Sequence, residues 1–495
     1  MRLLCQAGAG ALLLLCLGCG GRPSLPPPEA GVASFNEDAW FEHALKGADE
    51  SIDLLEAVAV LSADPNRRSQ AADDIRAFLE PSMRQAKARL AATTDPEQRI
   101  RVLNEALLPR IEQGLSGQLR LVHERLGADD GNCVPLSLLY AQAASEMGLG
   151  LQIAVPPSHA LVRWVGPDRV RNIETTAGGL SVTNTQLRDA IQARFRDKSS
   201  FPEAPEDLEK CFTPVTRRQC IALLYCQRAA GHLERGDKVS AQADYDTALR
   251  ISPEWHLPHY RMGMFKGQAF GDFKAAHAEL SSAIEKAPYL PQPLYNRGVS
   301  NEELRDATAA IADYEAAGRL APHHPLFVHA VGSVQVALGK YAEAVAAFTR
   351  ALELDPNYER SRHNRAQVWE HHLRDYRRAI EDYSLLLEKN PKHEDYWDNR
   401  GCCYMNLRKF VAALSDLDKA VELDPRQGSF RRNRAATLAN SGKLREALSD
   451  FDQAIALDAK DRKTYEMRAR VRQLLGDAEG QRQDLEKAAS LPKED

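Results

Sequence analysis

From residue 253 onward, proline returns at Pro253, Pro288, Pro322, Pro356, Pro391 and Pro425, with Ala459 in the next place, in steps of 34 or 35. This period restricts the fold more than any other feature. A unit of this length cannot bury its apolar side alone, so successive copies must stack into a quasi-one-dimensional array. Twelve, eight and five residues before each marker come a small, a bulky and a small residue. The triplets are Ala241/Tyr245/Ala248, Ala276/Leu280/Ala283, Ala310/Tyr314/Ala317, Ala344/Phe348/Ala351, Ala413/Leu417/Ala420 and Ala447/Phe451/Ala454, and only Ala379/Tyr383/Leu386 departs. The spacing lies on one face of a helix, and the small residues let a neighbouring helix approach closely.

In the segment 396–425, Trp397, Gly401, Tyr404, Ala413, Ala420 and Pro425 stand at offsets that resemble the tetratricopeptide repeat (TPR). Seven copies agree in phase. An eighth, 465–491, keeps Leu485 and Ala488 but has Gln481 in the small place, as expected of a polar capping repeat. The resemblance implies an all-α superhelical solenoid whose concave groove binds a protein or peptide. Asn296, Asn364, Asn399 and Asn433, each followed by Arg, admit two readings, a polar ladder for peptide or repeat architecture; the second is preferred. Ser333, Gln367, Cys402 and Ala436 stand where relatives with a carboxylate clamp need Asn, so no such clamp is expected.

Lys and Arg (64) nearly balance Asp and Glu (69), and a net charge of −5 offers no basic field for nucleic acid. The first residues combine Arg2, an apolar run from Ala7 to Leu17, and Gly18 before Cys19, a signal-peptide pattern too short to span a bilayer. Its ending resembles a bacterial lipobox, which implies cleavage before Cys19, lipid on Cys19 and a membrane tether, with Gly20 pointing to the periplasmic face of the outer membrane. Cys16 departs from the usual lipobox, and a secreted or inner-membrane-anchored protein is the alternative. Among the later cysteines, Cys211 with Cys220 or Cys226 is the plausible disulfide pair, with buried free thiols as the alternative. These later cysteines form no C-x-x-C pair, and His323-His324 and His371-His372, near turns, read as solvated, so no metal site is expected.

Between Ser34 and Arg125 the chain is helical in pattern. Asp95 is placed to cap a helix, with Pro96 in its first turn and Gln98 able to close a capping box. Asn132 precedes a second apolar helix that starts at Cys133 or Val134 and is stopped by Gly148 and Gly150. Two alternating runs follow, 159–164 and 169–174, around Val165-Gly166-Pro167-Asp168, and read as a hairpin. With Trp164 and Arg169 flanking the turn, opposed residues sum to 333 and His159 faces Glu174. A cysteine at a helix N-terminus is favoured as thiolate. A histidine can take its proton, and an acid can orient the imidazole.

The stretches "GNCVPLSLLYAQAASEMGLGLQIAVPPSHALVRW" and "RNIETTAGG" resemble the transglutaminase-like superfamily, in its bacterial branch where the domain precedes TPRs. The resemblance implies an α+β, papain-like fold with Cys133 as nucleophile, His159 as base and Glu174 as orienting acid. Glu174 stands where Asp is usual, Ser158 replaces a frequent Gly, and some relatives lack the cysteine, so catalysis is left open. The expected organisation is a leader (1–18), a tether (19–34), a transglutaminase-like domain (35–196), a connector (197–218) and a TPR solenoid (219–495). Two functions compete: a tethered cysteine peptidase, amidase or cross-linking enzyme with a partner-binding groove, and a non-catalytic adaptor. Neither calls for ATP, NAD or another cofactor.

Overall fold

A computed structural model describes residues 52–62, 68–116, 133–155, 160–165, 170–174, 180–182 and 213–492. Cys19, the tether, His159 and Cys211 lie outside them. The chain divides into two compact units, 1–322 and 323–495.

The first unit opens with helices α1 (Leu54–Ser62), α2 (Arg68–Leu90), α3 (Pro96–Ser116) and α4 (Cys133–Glu146), followed by strands β1 (Gln152–Ala154), β2 (Leu161–Val165), β3 (Val170–Glu174) and β4 (Leu180–Val182). The strands form one antiparallel sheet in chain order. At the start of α3, Asp95 accepts from the Gln98 amide (3.0 Å), as expected, but the Gln98 side chain accepts from the Thr93 hydroxyl instead of closing a box. Helix α4 ends as its glycines require. Gly148 takes φ 78°, its amide donates to Ser145 and the Leu149 amide to Ala144, so a left-handed residue closes the last turn.

The hairpin register differs from expectation. Pairs Val162–Ile173, Arg163–Asn172, Trp164–Arg171 and Val165–Val170 sum to 335, not 333. Ladder pairing extends through Val165 and begins again at Val170, so the intervening loop holds 166–169 and opposition moves by two residues. Ile153, Ala160, Val162 and Ile173 enter the apolar core with Leu138, Leu139 and Tyr140 of α4.

Beyond the sheet, Pro214 bridges to Ala154 and the Val215 amide donates to Ile153, so the incoming chain lies along the free edge of β1. Thr216 then caps the next helix with the reciprocal box: its Oγ1 accepts from the Gln219 amide (3.2 Å), and Gln219 Oε1 accepts from the Thr216 amide (2.8 Å). Three helix pairs complete this unit: Arg217–Glu234 with Lys238–Ile251, His256–Phe270 with Phe273–Lys286, and Pro291–Glu303 with Ala307–Leu320. One apolar cluster runs from Ile52, just before α1, to Phe265 of the second pair. Cys226 is a buried free thiol within it, pushed up to about 12 by burial, which excludes it from the expected disulfide.

The second unit holds five pairs, which continue the count as repeats four to eight and have first helices Pro325–Ala337, Glu359–Gln367, Glu394–Asn406, Gly428–Asn440 and Arg462–Leu474. Second-helix triplets of both units are buried as their period demands, Ala379/Tyr383/Leu386 included. In the eighth pair Leu485 is 47% exposed. Each 35-residue step has a local outlet. In repeat two the first helix lengthens to His256–Phe270, and in repeat five a π-helical turn, Val368–His372, takes up the extra residue, with the Leu373 amide donating to Val368. His324 is not solvated as expected. Its Nδ1 accepts from the Leu326 amide (3.2 Å), capping the helix at Pro325, and burial depresses its pKa to about 4. His372 stacks on Tyr341 with ring centroids 4.0 Å apart.

Candidate functional site

Cys133 is the first residue of α4. The helix behind it is buried nearly all round, with Val134, Ser137, Leu138, Leu139, Tyr140, Ala143 and Ala144 enclosed, because α1, α3, β1 and β2 all pack against it. Three polar contacts set its position. Tyr140 Oη donates to Asn104 on α3 (2.6 Å). Gln142 Oε1 accepts from Arg217 Nη1 (2.7 Å), and the same nitrogen donates to the carbonyl of Ile52 (2.5 Å). Ser137 Oγ, one helical turn after Cys133, donates to the carbonyl of Ala160 (3.3 Å), and both residues are fully buried.

The Ser137 bond fixes the first turn of α4 against the residue that follows His159. Glu174 is the last residue of β3, paired through its backbone with Leu180 on β4. The described pairs sum to 335, not to the 333 on which His159 was expected to face Glu174, and His159 itself lies outside the described residues. The side chains of Cys133, His159 and Glu174 lie outside the described residues. Arg171 of β3 donates to Glu97 on α3 (3.1 Å) and holds the sheet against that helix. A cavity of about 150 Å³ lies under Trp164, lined by Arg99, Ile100, Leu103, Leu149 and Leu151 among others; Leu149 places it at the far end of α4 from Cys133.

In the repeats, two of the asparagines before arginine, Asn296 and Asn433, serve architecture. Asn296 Nδ2 donates to the Gln292 carbonyl (2.9 Å) and to Tyr260 of the preceding repeat (3.3 Å), and Asn433 Nδ2 donates to both oxygens of Asp398 (3.0 and 2.8 Å). The following arginine does more. Arg297, Arg400 and Arg434 each grip an aspartate sixteen residues on, Asp313, Asp416 and Asp450, through two nitrogens. Arg228–Asp244, Arg365–Asp382 and Arg468–Asp484 repeat the arrangement. The third nitrogen reaches back to the previous second helix, at Ser281, Thr349, Ser384, Asp418 and Asp452. One guanidinium thus joins three helices, and its planar fork is what makes this geometry available. Sequence reasoning missed the ladder, although its signal was present as Arg before the small residue of one helix and Asp before the bulky residue of the next.

Residues 73–224 match the transglutaminase-like superfamily, and 332–370 and 394–427 match tetratricopeptide repeats. The chain joins a transglutaminase-like domain to a TPR solenoid. The transglutaminase-like match runs into the first helix of the repeats, across the shared apolar cluster. Tetratricopeptide repeat protein 6 of Homo sapiens is 27% identical over 193 residues, 38% of this chain, and the chain spans 36% of that relative's length. A tetratricopeptide repeat protein from Parabacteroides merdae is 19% identical, covering 50% of this chain and 98% of its own, with TM-score 0.37. The C-terminal part of a TPR protein from Cytophaga hutchinsonii is 16% identical, covering 47% and 95%, with TM-score 0.40. TPR repeats suggest protein or peptide binding.

Proposed function

We propose that this chain is a membrane-tethered envelope protein that binds a protein or peptide through its TPR groove and performs thiol acyl transfer at Cys133. In this reading lipid on Cys19 holds the chain at the periplasmic face of the outer membrane. Cys133 thiolate adds to an amide carbonyl, His159 having taken the thiol proton and returning it to the departing amine, and a thioester remains. Water then makes the chain a peptidase or amidase, and an amine makes it a cross-linking enzyme. Glu174 orients the imidazole. The observation that carries the reading is the buried Ser137–Ala160 bond, which holds the helix headed by Cys133 against the chain adjoining His159. The helix N-terminus favours the thiolate.

The hairpin register favours a second reading, a non-catalytic adaptor, because the described pairs do not follow the register on which His159 was expected to face Glu174. One experiment separates the two. The rate of Cys133 alkylation, followed by peptide mass against pH, is compared with His159→Ala and Glu174→Ala. A plateau well below the ordinary cysteine value of about 8.5 that disappears in His159→Ala supports acyl transfer. Identical profiles in all three proteins leave the adaptor.

A further inference from the structure

The six aspartates of the ladder have arginine partners and buried Asp461 has Arg432, but the second unit also buries two carboxylates, Glu370 and Asp398, for which the described residues give no arginine or lysine ion pair. Glu370 sits in the π-helical turn of repeat five, 6% exposed. Tyr383 Oη, on the second helix of that repeat, donates to its Oε2 (2.9 Å). Asp398, on the first helix of repeat six, is 8% exposed and receives Asn433 of repeat seven on both oxygens. Among the described residues, the ion-pair contact of Glu370 is with His371, its half-exposed neighbour in the turn, at 3.8 Å; no lysine or arginine pairs with it. Cys403 bonds to Glu370, and Cys402, one turn beyond Asp398, is kept as the thiol by burial. Arg432, beside Asn433, is drawn to Asp461 (2.6 Å) and acts on Asp398 only at range, as does Asp395 in the opposite sense.

The tyrosine–glutamate contact recurs in the repeats. In repeat three, Tyr314 reaches Glu302 across twelve residues; in repeat five, Tyr383 reaches Glu370 across thirteen. The added residue lies between Glu370 and Tyr383, and the widened turn Val368–His372 absorbs it while the tyrosine–glutamate pair is kept. The bonds Tyr383–Glu370 and Asn433–Asp398 therefore belong to one strip across repeats five, six and seven, with the two carboxylates as its middle members.

We propose that Glu370 and Asp398 form a proton-sensitive latch: while the pair retains a proton repeats five and six stay packed, and when both are ionised their first helices loosen to admit water. Two buried negative charges without a cation are costly, and hydration relieves them. The titration falls in an accessible range. Burial, opposed by Tyr383 and Cys403 and aided by Asp398, leaves Glu370 raised to about 7; burial likewise raises Asp398 to about 6 against Asn433. Glu370 bonds to Cys403 on the helix that carries Asp398, and the charge on Asp398 favours the proton on Glu370.

The test is backbone hydrogen exchange of the full chain between pH 5.5 and 8.5, with each rate divided by the intrinsic rate at that pH. Peptides from 359–406 are expected to lose protection at least tenfold as pH rises while those from 428–490 do not, and Glu370→Gln abolishes the loss. Removing the hydroxyl that stabilises the carboxylate, Tyr383→Phe moves the transition to higher pH, and it decides alone if Glu370→Gln does not fold. Equal loss across all repeats, a loss unchanged in Glu370→Gln, or an unshifted transition in Tyr383→Phe overturns the latch.

Discussion

At the scale of single residues, the turns between paired helices show where backbone and side chain disagree. Gly236, Gly271, Gly339, Gly442 and Gly476 take positive φ there, but the corresponding turns of repeats three, five and six use Arg305, Arg374 and Arg408, at 62°, 52° and 59°. A side chain in that region costs about 1 kcal/mol that glycine avoids. Arg408→Gly is therefore expected to stabilise the chain by roughly 0.5–1 kcal/mol, seen as a raised denaturation midpoint; an unchanged or lowered midpoint counts against the strain argument. At Gly298 the constraint is contact, because an added Cβ would stand 2.6 Å from the Tyr314 ring.

Elements are held together in two ways, and each has a test. In the repeats, small residues set how closely helices approach, and the arginine ladder sets their rotation, since a bidentate pair fixes angle as well as distance. Arg400 is mostly buried between Asp416 and Ser384. Asp416→Ala is expected to cost about 1–3 kcal/mol, and the double change Arg400→Met with Asp416→Leu less than that, because no buried charge is left behind. A double-mutant cycle in urea measures the difference, and equal costs would remove the ladder from the account. In the first unit, α4 and β2 meet through the Ser137 bond. Ser137→Ala should leave helical content intact but raise the pH at which Cys133 alkylation plateaus, with Ser137→Thr recovering part of the shift.

For the molecule as a whole, buried histidines govern the response to acid. Burial depresses His329 to about 3 and His256, His324 and His363 to about 4, so the folded chain binds fewer protons than the unfolded chain. Stability present above about 6.5 is lost as pH falls toward 4, by up to about 1.4 kcal/mol per pH unit for each such group. Glu370 and Asp398 run the other way, because raised carboxyl values add stability as pH falls through about 7 and 6. Denaturation midpoints between pH 7 and 4.5 should therefore decline, less steeply in His329→Gln and more steeply in Glu370→Gln. The same slope in all three proteins would refute the assignment.

The repeats were legible in the sequence because their cause is local: a small–bulky–small triplet at helical spacing can be buried only by stacking, whatever surrounds it. The glycines that end α4 and the aspartate that caps α3 were legible for the same reason. Sequence spacing did not determine the hairpin register, since moving the break between the strands by one residue, from 165–168 to 166–169, changes every opposed pair, and that depends on how the β2–β3 ladder closes. Spacing also did not show that Cys226 is a free core thiol, that His324 is a cap, or that the Tyr383 hydroxyl meets Glu370. Residue types and periodicity therefore settled which elements form and that they stack. Tertiary structure alone decided which polar groups meet, because a hydrogen bond or buried charge depends on displacements of one or two residues that leave an apolar pattern unchanged.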